Sequence, residues 1–335
     1  MVGAFERYKF MITQPVTIKD IAKLANVSIA TVSRVINENG KVKGATKTKI
    51  QQLIDSLNFK PNTYARDLVK NRSSSIGIIY PHFSFDCHEF NGLSQANTGT
   101  PLPPYLAQTA HSEEEEKARI EELDALGCPG IVLCHSRCSA QTLNRWVKKL
   151  PYLYCIDRQL TSSSFQRVNF DHLEAGVLQA REALKNGGRF GIVVYSATFN
   201  HASAQRFSGI IGTLSNYKGP LEVETLSLTK CDIDSAFDLV KENDALFRRA
   251  DFIIAENDFA AYGVINALKT MGLRIPYETT VVGFGNHMIS TLSYPKLTTV
   301  QYPFNQMLNE IVYRIEKGKA RTRNFRPTLV KRQSS

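Results

Sequence analysis

The sequence predicts a small all-α N-terminal domain followed by a doubly wound α/β body, and three observations predict it. Positive charge is concentrated at one end, where residues 1–75 hold 13 Lys and Arg against five Asp and Glu. The same stretch carries apolar residues at helical spacing in two short segments separated by a tight break, with a third segment behind them. Beyond Ser75 the pattern changes to short apolar runs alternating with longer amphipathic stretches, as a parallel sheet covered by helices requires.

Composition narrows the function classes first. A chain of 335 residues, 43% hydrophobic and 21% charged, has material for more than one domain and a sizeable core. It has no apolar run long enough to span a bilayer and no basic start leading into an apolar segment, so a cytoplasmic protein with no membrane partner is expected. An exported sugar-binding transport component fits neither that start nor the basic end. Six cysteines (Cys87, Cys128, Cys134, Cys138, Cys155 and Cys231) spread through such a chain read as free thiols. Cys134, His135 and Cys138 match no closed zinc spacing, and no metal is expected. Residues 1–10 carry no pattern to which a role attaches.

The first helix is announced by Thr17, an N-cap residue with Asp20 three positions on, followed by Ile18, Ile21, Ala22 and Ala25. Asn26-Val27 breaks it, and Ser28 caps a second helix through Ile36, in which Val32, Val35 and Ile36 share one face while Ile29, Ala30, Ser33 and Arg34 form the opposite one. A third helix over 46–57 sets Ile50, Leu53, Ile54 and Leu57 at the spacing that closes a three-helix core. Two short helices joined tightly, with a supporting third, make a helix-turn-helix, whose narrow second helix fits a major groove. With the local charge, that points to duplex DNA.

The run Pro15-Val-Thr-Ile-Lys-Asp-Ile-Ala, followed by Ala25-Asn-Val-Ser-Ile-Ala-Thr-Val-Ser-Arg-Val-Ile-Asn37, closely resembles the headpiece signature of the lactose/galactose repressor (LacI/GalR) family. Arg326-Pro-Thr-Leu-Val-Lys-Arg332 resembles the family's closing strand, so the likeness covers nearly the whole chain. It implies that Ile29, Ala30 and Arg34 read bases, Arg34 having the chemistry for a guanine and Ile29 for a thymine methyl. It also implies that Thr17, Ser28, Thr31, Ser33, Asn37 and Thr46 position phosphates. The segment from Pro61 to Lys70, too short to be a stable helix alone, resembles the family's hinge helix, with Leu68 as the minor-groove wedge and Asn62 and Ala65 beside it.

In the body, apolar runs at 76–80, 130–134, 152–156, 190–195, 251–255 and 280–284 read as buried parallel strands, with helices over 112–126, 171–186, 259–272 and 304–317. Ligands of such sheets bind beyond the carboxyl ends of the strands. The resemblance implies a periplasmic-binding-protein-like α/β body of two subdomains, with the chain crossing between them three times. The expected division is a helix-turn-helix domain at 15–60, hinge and linker at 61–75, one subdomain of 76–168 with 301–322, and another of 169–300 with 323–335. It also implies a sugar-like effector. Asp157 and Asn257 close two of the strands, and Arg206 lies in Ser203-Ala-Gln-Arg-Phe-Ser-Gly209, which looks like the family's effector-arginine motif. Phe83, Phe170 and Phe304 are candidates to stack on a sugar face.

Two stretches depart from the family. Gly285 stands where a sugar-binding Asp is usual, so that contact is either lost or taken up by Asn286, and 91–104 is too rich in Pro, Gly and Thr for the amphipathic helix expected there. A phosphorylated, acidic or otherwise unusual sugar stays open. No phosphate-binding Gly-x-x-x-x-Gly-Lys loop and no nucleophile elbow is present, so an enzyme joined to a DNA-binding appendage is disfavoured, and neither catalytic residues nor a cofactor are expected. With no leucine-heptad extension after Ser335, a homodimer on operator DNA is expected, as repressor or activator.

Overall fold

The structure is a computed structural model that describes residues 16–37, 39–60, 73–80, 103–109, 112–158, 166–198, 200–319 and 325–335. The hinge candidates Asn62, Ala65 and Leu68, the stacking candidate Phe83 and residues 91–102 lie outside the described residues. The chain forms two compact units that divide after Ser73.

The first unit contains α1 (Ile18–Ala25), α2 (Ile29–Ile36) and α3 (Gly44–Ser56). Asn26 ends α1 in the left-handed region at φ 56°, which an Asn tolerates, and Lys49 Nζ donates to the Ala25 carbonyl at 3.0 Å, satisfying a free helix end. Ile21, Ala22, Ala25, Val32, Val35, Ile50, Leu53 and Phe59 bury together, with Ala22 and Ala25 letting the helices approach. Helix α3 begins two residues before Thr46, because Gly44 and Ala45 continue its backbone behind Lys43 without a side-chain cap.

The second unit holds two sheets. The first, ordered β2-β1-β3-β4-β5, is parallel throughout: β1 (Ile76–Tyr80), β2 (Pro104–Gln108), β3 (Ile131–Leu133), β4 (Leu153–Ile156) and β5 (Arg167–Val168). The second, ordered β11-β10-β9-β8-β6-β7, comprises β6 (Phe190–Ser196), β7 (Glu222–Leu228), β8 (Phe252–Ala255), β9 (Thr280–Gly285), β10 (Thr298–Gln301) and β11 (Thr328–Val330), the last antiparallel. All six apolar runs are strands. The sequence reading passed over β2, β5, β7 and β10 for physical reasons. β2 and β7 are edge strands that expose most of their residues, β5 has two residues, and β10 is buried through Thr298 and Thr299, which carry no apolar signal.

Around the first sheet lie α4 (Glu113–Ala125), α5 (Ala140–Lys149) and, from far along the chain, α12 (Phe304–Lys317). The second sheet is covered on one face by α6 (His172–Ala183) and α7 (His201–Ser215), and on the other by α8 (Ile233–Glu242), α9 (Asp244–Phe247) and α10 (Asp258–Thr270), with the short α11 (Ile289–Leu292) following β9. The chain therefore passes between the sheets three times among the described residues: after β5, between β10 and α12, and between α12 and β11. Phe170 and Phe325, on the first and third passages, pair as a parallel bridge, and Tyr302 on the second meets Phe170 edge-on at 5.3 Å. No helix among the described residues is long and apolar enough to cross a membrane.

Candidate nucleic-acid interface and effector cleft

In the N-terminal unit the apolar side of α2 is spent on the core, and what remains outward is Ile29, 46% exposed, with Ala30 and Arg34. A large apolar side chain left in water at a helix N-terminus, with an exposed arginine in the last turn of the same helix, suits a base edge better than a folding role. The Arg34 stem passes beside Gly40, which takes φ 94°, so the turn after α2 leaves room for it. Ser28 Oγ accepts from Thr31 N–H at 3.2 Å and contacts the Thr31 hydroxyl at 2.9 Å, while Asn37 Nδ2 donates to the Ser33 carbonyl at 2.8 Å. Thr17 donates both its N–H and its hydroxyl to Asp20, holding that carboxyl below its ordinary value. Ser28, Thr31, Ser33 and Asn37 brace the start and end of the exposed helix, Thr17 caps α1, and Thr46 lies half-buried in α3.

In the larger unit a polar cluster forms where the passages between sheets meet the strand ends. Asp157, following β4 at φ 54°, is buried and saturated. Its carboxylate accepts from the Phe170 N–H at 2.8 Å, from His172 Nε2 at 2.8 Å and from the Tyr302 hydroxyl at 2.5 Å. Burial pushes the Asp157 carboxyl up, but attraction to His172 and the hydrogen bonds from His172, Tyr302 and the Phe170 N–H outweigh it and hold the group below the usual range. Burial, with the neighbouring Asp157 charge, pushes the Tyr302 phenol well up.

Arg206 faces the other side of the same imidazole, its guanidinium 3.4 Å from His172 Nδ1. Because a guanidinium can only donate, His172 Nδ1 accepts and Nε2 carries the proton given to Asp157. Arg206 also lies over the Phe284 ring at 3.9 Å and forms a nearly buried ion pair with Glu256, the residue following β8. Helix packing sets this position. Gly176 of α6 and Gly209 of α7 let the two backbones touch, and a Cβ at Gly176 would strike the Arg206 carbonyl oxygen. Beside the cluster, Asp157, Phe170, Asp171, His172, His201 and Gln205 line most of a cavity of about 240 Å³.

Of the residues singled out in sequence, Asp157, Phe170 and Arg206 are brought together. Phe83 lies outside the described residues, and the side chains of Asn257, Asn286 and Phe304 make the following contacts within the chain. Asn257 is the N-cap of α10: its Oδ1 accepts from Ala260 N–H at 2.8 Å and its Nδ2 donates to the Cys231 carbonyl at 3.0 Å, because the strand end is also the helix start. Asn286 Oδ1 accepts from the Arg332 guanidinium at 2.6 Å, and the space a Cβ would need at Gly285 is filled by the His287 ring, so no side chain at 285 supplies the acid the resemblance leads one to expect. Phe304 is 2% exposed and packs with α12 on the first sheet. Sequence reading missed His172, Glu256 and Tyr302; the available signal was a titratable side chain directly after an apolar run or beside a passage. Cys134 and Cys138 are buried, burial pushes the Cys138 thiol up to about 12, and no metal-binding group of side chains occurs among the described residues.

Comparison with known proteins agrees with both units. Residues 17–62 match the family model "Bacterial regulatory proteins, lacI family", and residues 186–335 match "Periplasmic binding protein-like domain". The chain is 27% identical over 328 residues to the HTH-type transcriptional regulator GalR of Salmonella typhimurium, covering 95% of each. It is 27% identical over 295 residues to catabolite control protein A of Priestia megaterium, covering 86% of this chain and 88% of that one. Among solved structures, the lac repressor dimer bound to operator and the anti-inducer ONPF superposes with a TM-score of 0.79 at 19% identity, covering 96% of this chain and 99% of that one. The lac repressor bound to ONPG in the repressed state gives 0.81 at 20% identity, covering 96% and 100%.

Proposed function

The chain belongs to the LacI/GalR family of bacterial transcription regulators, and we propose that it is a cytoplasmic, homodimeric repressor of carbohydrate-metabolism genes whose grip on operator DNA is set by a sugar-like effector. The family is one of regulators, not enzymes. The observation that carries the DNA reading is the outward face of α2, where Ile29, Ala30 and Arg34 stand exposed on a helix braced by Ser28, Thr31, Ser33 and Asn37. In this reading Thr17 and Thr46 contact phosphates, and the hinge residues Asn62, Ala65 and Leu68 engage the minor groove.

We assign 15–60 to DNA reading, 61–75 to the hinge, and 76–168 with 301–322 and 169–300 with 323–335 to the two halves of the sensor. The strand and helix memberships described above support that division. The effector enters between the halves beside Asp157, Phe170 and Arg206, while Asn257, Asn286 and Phe304 shape the walls that hold those groups. Effector and operator are then coupled, and each changes the other's affinity by the same factor.

Selection from a random duplex library tests the first half. An inverted repeat should be enriched, since a two-fold dimer reads two half-sites. Arg34→Ala should lose preference at one base pair per half-site, about 1–3 kcal/mol per contact, while affinity for other positions holds. Uniform weakening across all sequences, or no enriched repeat, contradicts the reading.

A further inference from the structure

We propose that Glu256 sets the chemical class of the effector: the cleft accepts neutral polyhydroxy compounds and excludes acid sugars and sugar phosphates. The proposal rests on the reading that Arg206 faces the effector. Arg206 and Glu256 meet beyond the carboxyl ends of the second sheet's strands, where ligands of such folds bind. The guanidinium edge that would grip an anion is already engaged. One terminal nitrogen donates to both the carbonyl and the carboxylate of Glu256, the other faces His172 Nδ1 at 3.4 Å, and one face of the group lies on Phe284 at 3.9 Å.

An arginine without an internal acid recruits a carboxylate or phosphate through its paired donors. Here the chain itself supplies the carboxylate. An incoming anion would have to displace Glu256 and leave that side chain, 12% exposed, without its countercharge, a cost that a hydroxyl does not incur. The surroundings add to the bias. The carboxylates of Asp157 and Asp171 line the neighbouring cavity, and burial, with Arg158 and His172 nearby, pushes the His201 imidazole below its ordinary value. A hydroxyl needs only single hydrogen bonds from the guanidinium and imposes no second negative charge beside Glu256.

The test is calorimetric titration of the full chain with matched probes: D-galactose, D-galacturonate and D-galactose 6-phosphate, and the corresponding D-glucose series. The wild-type chain should bind a neutral member at least about tenfold more tightly than its acidic counterparts. Glu256→Gln should erase or invert that ranking by freeing Arg206. Glu256→Asp, which keeps the charge, should preserve it, and guards against a Gln variant that fails to fold. Wild-type binding of an acidic probe as tight as that of its neutral partner, or a folded Glu256→Gln variant with undiminished discrimination, overturns the proposal. Arg206→Ala separates it from its foundation. If neutral-sugar binding survives that change, the placement of the effector beside Arg206 is wrong; if it is lost while wild type fails to discriminate by charge, only the role of Glu256 is wrong.

Discussion

Asp157 shows how one side chain can hold a sensor together. Its carboxylate ties β4 to the first passage through the Phe170 N–H, to α6 through His172 and to the second passage through Tyr302. Its folded-state affinity for a proton is lowered, so the stabilisation it supplies is present above its ordinary value of 3.8 and disappears as pH falls through the still lower folded value. Asp157→Asn should therefore destabilise the body by about 3–5 kcal/mol at pH 7, the cost of breaking a buried hydrogen-bonded pair. The gap from wild type should close as pH falls below the ordinary carboxylate range. Urea titrations between pH 2.5 and 7 measure it, and a gap that widened in acid would contradict this account. Asp157 was legible in sequence because it ends an apolar run, whereas His172 and Tyr302 were not: nothing in the chain around either announces the pairing, which spans 15 residues for His172 and 145 for Tyr302.

Helices and strands were legible to the degree that their burial is periodic. The first two helices carry caps and a clean apolar stripe, and α12 spans the residues its periodicity predicts. α5 and α8 were unmarked although each has ten residues and buries an apolar side, and α7 was unmarked because it mixes small residues with polar ones, Gly209 among them. That glycine reflects contact with α6 rather than helix propensity: a Cβ there would strike the Leu173 carbonyl, just as one at Gly176 would strike that of Arg206. Gly209→Ala should push the helices apart, cost about 1–3 kcal/mol in thermal stability, and weaken neutral-sugar binding by moving Arg206 off His172 and Glu256. The same substitution at Gly212, whose Cβ position is open, should leave both unchanged.

For the sensor unit as a whole, fold class was readable from alternation alone, but the return of α12 to the first sheet came only from the family resemblance, which put 301–322 with 76–168, because periodicity says which face of a helix is buried and not against what. In the structure Met307, Leu308, Ile311 and Val312 of α12 complete the layer that covers Ile76, Ile78, Val132 and Ile156. A chain ending after residue 168 lacks that cover and should be insoluble or unfolded by circular dichroism. Fusing residues 302–319 to it through a flexible linker should restore a cooperative melt. The three passages also constrain how such a sensor can be inherited. A single crossover between two ancestral genes delivers one half without its outlying helix or its outlying strand, so exchange of an intact half requires several breakpoints at once. Recombination is thereby confined to the boundary before the body, where a DNA-reading module and a sensor can be reshuffled as whole parts, and new effector preferences must arise by point changes within a sensor that descends undivided.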